Sequence, residues 1–198
     1  MARPRTFDED RVLDTVMRAF WENGYEATST RDLCEVTGLD RSSLYNAFTS
    51  KGELFRRALA RYAETMNARQ AELLEDRSRP AVERIRVLLA RIVDDEVALA
   101  RDGRGLGCLT VNTTVELAGR DPEIARMLER DLDRRLAGLR AVIEEGRRDG
   151  DVTSPRDAAA LARFLNAVIA GIRVSAQGGA DRAALEAVAA TALDALTR

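Results

Sequence analysis

The chain has 198 residues, of which 45% are hydrophobic and 32% are charged, with a formal net charge of −2. This length fits one domain or a small domain joined to a larger one, and we attribute the 30 arginines beside one lysine to nucleotide composition. No apolar run approaches the ~20 residues of a membrane span, no signal peptide is expected, and the two cysteines lack the spacing of a disulfide framework or a zinc site.

The sequence also argues against an enzyme. It contains no histidine, which is the commonest general base and a frequent metal ligand, and it has no glycine motif of a nucleotide-binding loop. We therefore expect no catalytic activity, no cofactor and no metal site. The expected protein is cytoplasmic and makes no membrane contact.

A basic arm with Arg3 and Arg5 precedes the first predicted helix, which covers residues 8–23 and ends at Gly24. Apolar residues recur at helical spacing on one face of this segment. The face consists of Leu13, Val16, Met17 and Phe20.

Residues 28–55, TSTRDLCEVTGLDRSSLYNAFTSKGELF, contain the most informative pattern of the chain. A short helix over residues 29–37 would bury Leu33 and Val36, which are three positions apart. Gly38 follows directly, where a left-handed residue that only glycine adopts without steric cost would end the helix. The pattern predicts the first half of a helix-turn-helix.

A second helix is predicted over residues 41–48, with Asp40 capping its N-terminus. Leu44 and Phe48 are four positions apart and would face the core. The outward side chains suit a recognition helix that enters the major groove of DNA. They are Arg41, Ser42, Ser43, Tyr45 and Asn46.

Charge changes sign along this region. Residues 7–40 carry nine acidic and three basic residues, whereas residues 41–61 carry five basic residues and one acidic residue. Lys51 begins the next helix beside free backbone N–H groups, where a phosphate is favoured. A solvated helix face is an equally good interpretation for three of the arginines, Arg56, Arg57 and Arg61.

These linked motifs resemble the DNA-binding domain of the tetracycline-repressor (TetR) family of bacterial transcription regulators. The resemblance extends upstream through AFWENGYEATS (residues 19–29) and downstream through FTSKGELF (residues 48–55). The family's LYxHF segment is LYNAF here, and this departure bears on base preference rather than on fold.

The resemblance implies an all-α protein of about nine helices. An N-terminal helix-turn-helix domain (residues 1–50) would be joined by a long helix to a helical effector-binding and dimerisation domain (residues 51–198). The implied partners are a palindromic operator in double-stranded DNA, a small-molecule effector and a second copy of the chain.

The predicted DNA contacts divide by chemistry. Hydroxyl and ammonium groups suit phosphates, whereas arginine pairs with guanine and asparagine with adenine. Phosphate contacts are assigned to Thr28, Thr30, Tyr45 and Lys51, base-edge contacts to Arg41, Ser43 and Asn46, and Ser42 shares their outward face.

The remainder of the chain predicts further helices and no strand. Pro80, Pro122 and Pro155 lie at first-turn positions, and glycines at 103, 105 and 107 interrupt the chain before a short helix. The predicted helices cover about residues 51–76, from 80 onward, from 106 or 108 to 118, 122–148, 155–176 and from 181 onward.

The last two predicted helices carry apolar residues on more than one face. In the family, this pair forms a four-helix dimer interface, so the resemblance implies the same here. Burial within one protomer is the alternative. The implied interface residues are Phe164, Leu165, Val168, Ile169, Ile172, Leu185, Val188, Ala189 and Leu193.

The effector site is predicted around residues 103–119, which are apolar almost all round as a helix and would therefore lie in the middle of a domain. Its polar residues would be internal, and some would bind a largely apolar ligand. For each candidate, pairing or packing inside the core is at least as good an interpretation. The candidates are Asn112, Thr113 and Glu116, with walls from Tyr62, Met66, Leu89, Met127 and Phe164.

Cys108 is the other effector candidate. The Gly-Cys-Leu at this helix start is similar to a TetR subgroup that includes sensors of electrophiles and oxidants, and a helix N-terminus makes a thiolate more reactive. A small buried hydrophobe is the alternative, and Cys34 is expected in the core.

The predicted function is a dimeric DNA-binding repressor that a small-molecule effector releases from a palindromic operator. Two alternatives are a helical ligand-binding protein without DNA binding and a thiol-based redox-sensing repressor acting through Cys108.

Overall fold

The computed structural model describes residues 8–101 and 105–197, in which all regular structure is helical. Arg3, Arg5 and Gly103 lie outside the described residues. The predicted all-α class and the number of helices are confirmed for the described part. The helices are α1 (Glu9–Asn23), α2 (Thr30–Thr37), α3 (Arg41–Phe48), α4 (Lys51–Leu74), α5 (Ala81–Arg101), α6 (Leu109–Leu117), α7 (Pro122–Asp149), α8 (Ala158–Gln177) and α9 (Arg182–Thr197).

The ends of the first helices follow from caps that the sequence encodes. Ser29 and Asp32 form a reciprocal capping box at the start of α2. The Asp40 carboxylate accepts a hydrogen bond of 2.7 Å from the backbone N–H of Ser43 at the start of α3. Between the two helices Gly38 has a φ of 68°, the left-handed conformation predicted for it. The predicted bounds of α1, α2 and α3 are therefore confirmed to within one residue.

Two hydrophobic clusters form the core. The N-terminal cluster joins α1 to α4 with α6 and the start of α7, and its members include Phe20, Leu44 and Phe55. The C-terminal cluster joins the end of α4 with α5, α7, α8 and α9. Helix α4 contributes to both clusters and connects them as one continuous helix. The domain division at residue 50 stays a prediction.

Two apolar residues are more exposed than the sequence pattern predicts. Val36 is 49% exposed, and of this predicted pair α2 buries Leu33 alone. Val115 is 86% exposed, because it lies away from the buried residues of α6, which are Leu109, Thr110, Thr113 and Leu117. The expectation that α6 lies in the middle of a domain is therefore wrong.

Among the described helices, α8 alone has the length and composition of a membrane span, with a mean hydropathy of 1.4. In the structure it packs against α5, α7 and α9. A core helix of a bundle has the same composition, so this feature is weak evidence for a membrane.

Candidate DNA-binding surface and the Cys108 cluster

Helix α3 presents polar side chains on an exposed face while its apolar face is anchored. Leu44 and Phe48 are almost completely buried in the N-terminal cluster. Arg41, Ser42 and Asn46 are exposed on the other side of the helix. The helix is thus fixed from within and free to contact a partner along its outer face.

Tyr45 connects the two helices of the motif. Its hydroxyl lies 2.6 Å from the Thr30 hydroxyl at the start of α2, and the Arg41 guanidinium carbon lies 5.7 Å from its ring centroid. Both hydroxyls are half-buried and adjacent, so one surface feature combines a residue from α2 with a residue from α3. The structure brings together these two residues of the predicted phosphate set.

Lys51 is the first residue of α4, and its ammonium lies 4.4 Å from the centroid of the Tyr25 ring. A cation over an aromatic face is attracted by the ring quadrupole. Burial raises the pKa of Tyr25, with a smaller contribution from Glu26. Among the described residues Lys51 makes no ion pair, so its charge is oriented by the ring without being neutralised.

Thr28 does not fit its predicted role. Its side chain is 1% exposed, and its hydroxyl donates a hydrogen bond of 2.6 Å to the Gly24 carbonyl oxygen. A donor that is buried and engaged in this way is not available to a phosphate, so the assignment of Thr28 as a DNA contact is corrected.

The arginines of α4 are also engaged elsewhere. Arg56 pairs with Glu53 and Glu123. Arg57 pairs with Glu9, and Arg61 with Asp10 and Asp14, so the basic face of α4 is matched to the acidic face of α1. The positive charge of residues 41–61 that remains without an ion pair in the described structure belongs to Arg41 and Lys51.

The thiol of Cys108 lies in a polar cluster within the protein, which we call the Cys108 cluster (Tyr62, Glu96, Cys108, Thr110 and Arg173). Arg173 Nη1 lies 2.7 Å from Cys108 Sγ, and the Thr110 hydroxyl lies 3.0 Å from it. The Tyr62 hydroxyl donates to the same sulfur at 3.6 Å. Glu96 pairs with Arg173 at 3.7 Å. Cys108 is therefore buried, as a small hydrophobe would be, but it is surrounded by donors.

The cluster changes the acidity of its members. Burial alone would raise the pKa of the Cys108 thiol, but the Arg173 cation and the Thr110 hydrogen bond outweigh it, so this pKa lies below its usual value. Burial raises the pKa of Glu96, which Arg173 opposes. Burial is the largest single influence on the pKa of this thiol, and the Arg173 cation and the hydrogen bonds to the sulfur outweigh it only together.

The predicted effector residues do not surround one cavity. Tyr62 and Met66 line a cavity of about 250 Å³ with Trp21, Ile92 and Arg173. A second cavity, of about 230 Å³, separates α1 from α6 and contains Asn112, Thr113 and Glu116. Of the other predicted walls, Met127 lines a groove between α4 and α7, Leu89 packs in the C-terminal core, and Phe164 is 43% exposed on the outside of α8.

Two of the predicted ligand-binding polar groups are engaged within the protein. The Asn112 side-chain amide donates to the Leu106 carbonyl oxygen. The Glu116 carboxylate accepts hydrogen bonds from the backbone N–H groups of Tyr25 and Glu26. The expectation that the Glu116 carboxylate is available to bind an effector is corrected, because it already accepts hydrogen bonds from the segment between α1 and α2.

The predicted dimer residues are largely the core of one protomer. Leu165, Ile169, Ile172, Leu185 and Ala189 are buried without a partner chain, because these faces of α8 and α9 pack against α5 and against each other. Val168 and Leu193 are half-buried, whereas Phe164 and Val188 are each 43% exposed. The free apolar stripe of α8 consists of Ala160, Phe164, Ala167, Gly171 and Val174.

Sequence analysis missed Arg173 and Trp21. Arg173 had a signal, since it is the one charged residue in the apolar segment 164–180. No sequence signal identifies the partner of Trp21. Its indole N–H donates a hydrogen bond of 3.2 Å to the Gly107 carbonyl oxygen, which lies 86 positions away in the chain. Contacts of this range depend on the packing of α1 against the start of α6.

Comparison with known proteins agrees with this geometry. Residues 12–58 match the family model of bacterial regulatory proteins of the tetR family, and residues 81–192 match the tetracyclin repressor-like C-terminal domain. The chain is similar to the HTH-type transcriptional repressor ComR of Escherichia coli (strain K12), at 32% identity over 96% of this chain and 90% of that protein. It is 35% identical to the uncharacterised HTH-type transcriptional regulator YezE of Bacillus subtilis (strain 168), over 84% of each chain.

Two solved structures are similar over nearly the whole chain. One is a cysteine mutant of the TetR family regulator CifR complexed with 26-bp double-strand operator DNA, at 33% identity, a TM-score of 0.82, and coverage of 98% of this chain and 99% of that chain. The other is the reduced form of Escherichia coli NemR, with a TM-score of 0.83 over 92% of this chain and 93% of that chain. Its 21% identity supports the fold alone.

Proposed function

The chain belongs to the TetR family of bacterial regulatory proteins and is a DNA-binding transcriptional regulator, and on that premise we propose that it is a dimeric repressor released from a palindromic operator by a small-molecule effector. The observation that carries the proposal is the exposed face of α3, anchored by Leu44 and Phe48 and flanked by Lys51. Residues 1–50 would bind DNA, and residues 51–198 would bind the effector and the second protomer.

The DNA contacts are proposed from side chains that are exposed or half-buried on the surface of the motif. Thr30, Tyr45 and Lys51 would contact phosphates, because they lie around the start of α2, the outer face of α3 and the N-terminus of α4. Arg41, Ser42, Ser43 and Asn46 would lie in the major groove, with Arg41 and Asn46 reading base edges. Arg41 and Asn46 are both exposed, and Arg41 has no ion-pair partner among the described residues, which supports this role.

The dimer would form through the free apolar stripe of α8 together with Val188 of α9. The stripe residues lie four, three, four and three positions apart, so they form one continuous face. A Cβ added at Gly171 would have open space around it, which leaves room for the helix of a partner. A two-fold dimer would present two α3 helices to half-sites one turn of DNA apart.

The effector would occupy the cavity of about 250 Å³ that includes Tyr62 and Met66. Its apolar walls, which include Trp21, Ile92 and Leu99, favour a small molecule with a substantial apolar part. Polar anchors are available from the charged lining residues Arg69, Asp95, Glu96 and Arg173. A ligand releases DNA only if it binds the DNA-incompetent arrangement more tightly than the other.

A thiol trigger at Cys108 is a second candidate, and the contact between Arg173 and the sulfur favours it. A peroxide would supply the chemistry: the thiolate sulfur forms a bond to one peroxide oxygen, the O–O bond breaks, and hydroxide leaves. The sulfur is oxidised to sulfenic acid and the peroxide is reduced. The similar regulator CifR, 33% identical to this chain, was solved as a cysteine mutant.

The experiment that tests the proposed function is a gel-shift titration against the DNA flanking the protein's own gene. Specific, salt-dependent retardation of a palindromic fragment is expected, with no comparable retardation of a scrambled fragment of equal length. Equal affinity for both fragments at every salt concentration would contradict the proposal.

A further inference from the structure

The carboxylate of Glu116 makes an unusual contact between distant parts of the chain. Its two oxygens accept hydrogen bonds from consecutive backbone N–H groups, from Tyr25 at 3.1 Å and from Glu26 at 2.8 Å. Glu116 lies in the last turn of α6, about 90 positions away from both donors. Hydrogen bonds from backbone N–H groups to a carboxylate are among the stronger ones in proteins.

The local backbone is shaped for this contact. Gly24 ends α1 with a φ of 81°, which turns the chain so that the next two N–H groups face α6. A Cβ at Gly24 would lie 3.2 Å from one oxygen of Glu116, so a larger residue would crowd the carboxylate as well as strain the backbone. The turn and the carboxylate therefore fit each other closely.

Helix α6 touches the DNA-binding region at both of its ends. At its start, the Gly107 carbonyl oxygen accepts from Trp21 of α1, and at its end Glu116 holds the segment that leads into α2. Nine residues of helix span only about 13 Å, so one short helix lies between the two contacts. Cys108, the N-cap of α6, belongs to the Cys108 cluster with Arg173 of α8.

We propose that Glu116 is a positioning residue for DNA binding: its carboxylate holds the segment between α1 and α2 and thereby sets the orientation of α3. The proposal rests on the proposed function, because it assumes a dimer whose two α3 helices must match the spacing of operator half-sites.

The test uses the full chain with three variants. Glu116→Ala removes both acceptors, Glu116→Gln keeps one acceptor, and Glu129→Gln removes the same charge from an exposed position of α7. The first measurement is amide hydrogen exchange at Tyr25 and Glu26. We expect exchange there to be about tenfold or more faster in Glu116→Ala, intermediate in Glu116→Gln and unchanged in Glu129→Gln.

The second measurement is affinity for a series of operators whose half-sites are moved apart or together by single base pairs. The wild-type chain and Glu129→Gln should prefer one spacing strongly. Glu116→Ala should lose most of that preference while keeping the same salt dependence, because its phosphate contacts are intact. Loss of folding alone would instead lower the affinity for every spacing in proportion. In that case the spacing preference of Glu116→Gln, which conserves the shape of the side chain, is the deciding measurement.

The outcomes separate the two proposals. Unchanged amide exchange in Glu116→Ala, or faster exchange with the spacing preference retained, overturns the role of Glu116 and leaves the proposed function standing. Absence of specific operator binding by the wild-type chain overturns the proposed function, and the role of Glu116 in DNA binding with it. Faster exchange together with lost spacing preference supports both.

Discussion

Within residues 41–61 of the described structure, Arg41 and Lys51 are the two cations without an ion pair, and they differ in setting. Lys51 is held over the Tyr25 ring at a helix N-terminus, which suits a phosphate. Lys51→Ala should weaken binding to all DNA sequences and flatten the salt slope by about one unit. Arg41→Ala should instead relax base preference at one operator position.

Fluorescence anisotropy over a range of salt concentrations measures both effects, and Arg57→Ala is the matched control because Arg57 already pairs with Glu9. An unchanged salt slope in Lys51→Ala would refute its assignment to phosphate. An equal loss of affinity for every base substitution in Arg41→Ala would refute its assignment to a base edge.

Cys108 and Cys34 allow a controlled test of the thiol trigger. Arg173 lowers the pKa of Cys108, so thiolate should be present at a lower pH than for an ordinary thiol of about 8.5. Hydrogen peroxide should therefore release DNA from the wild-type chain at neutral pH and from Cys34→Ser equally, but not from Cys108→Ser. In Arg173→Gln the rate of release should rise only at higher pH, because the cation that favours the thiolate is gone.

Gel shifts before and after peroxide treatment measure this release. A retained response in Cys108→Ser would leave the apolar effector as the trigger. Loss of response in Cys34→Ser would move the sensor to α2, where Cys34 is half-buried.

At the scale of elements, the turn between α2 and α3 depends on Gly38. Its φ of 68° costs a residue with a Cβ roughly 1–2 kcal/mol. Gly38→Ala should therefore lower the free energy of unfolding by about 1 kcal/mol, whereas Gly119→Ala should leave it unchanged or raise it slightly. A Cβ would meet open space at both glycines, but Gly119 does not have a positive φ.

Urea denaturation of the two variants gives the comparison. Equal stability of Gly38→Ala and Gly119→Ala would mean that the turn tolerates a side chain, and that the left-handed residue does not fix the angle between the two helices of the motif.

The same elements indicate what a sequence predicts well. Caps and turns such as Asp40 and Gly38 act within a few residues, so the bounds of α1, α2 and α3 follow from the sequence. Glu116 could not be assigned in this way, because its partners lie about 90 positions away and are backbone groups. A backbone donor carries no residue identity that a sequence pattern could reveal.

At the scale of the whole molecule, apolar stripes predict burial but not the partner that covers them. Ile169 and Phe164 both belong to the apolar pattern of α8, yet Ile169 is 6% exposed and Phe164 is 43% exposed in one protomer. The difference arises because α5, α7 and α9 cover one side of α8, and the sequence does not state which side. The predicted dimer interface therefore includes residues that belong to the core of one protomer.

The dimer is tested on the exposed stripe. Phe164→Glu should give a folded monomer, because the residue is solvent-exposed in the protomer but would bury an unpaired charge in the dimer at a cost of about 3–5 kcal/mol. Ile169→Glu should instead unfold the chain, since Ile169 is buried in each protomer. Val115→Glu is the matched control, as Val115 is 86% exposed on α6 and lies outside the proposed interface.

Light scattering gives the mass of each variant and circular dichroism its helicity. Loss of the dimer should reduce affinity for the palindromic operator much more than affinity for a single half-site, since the monomer gains nothing from the second half-site. A helical Phe164→Glu chain that remains dimeric would exclude the α8 stripe as the interface. A monomeric Val115→Glu would move the interface to α6, where dimerisation would compete with the contact that Glu116 makes to the segment before α2.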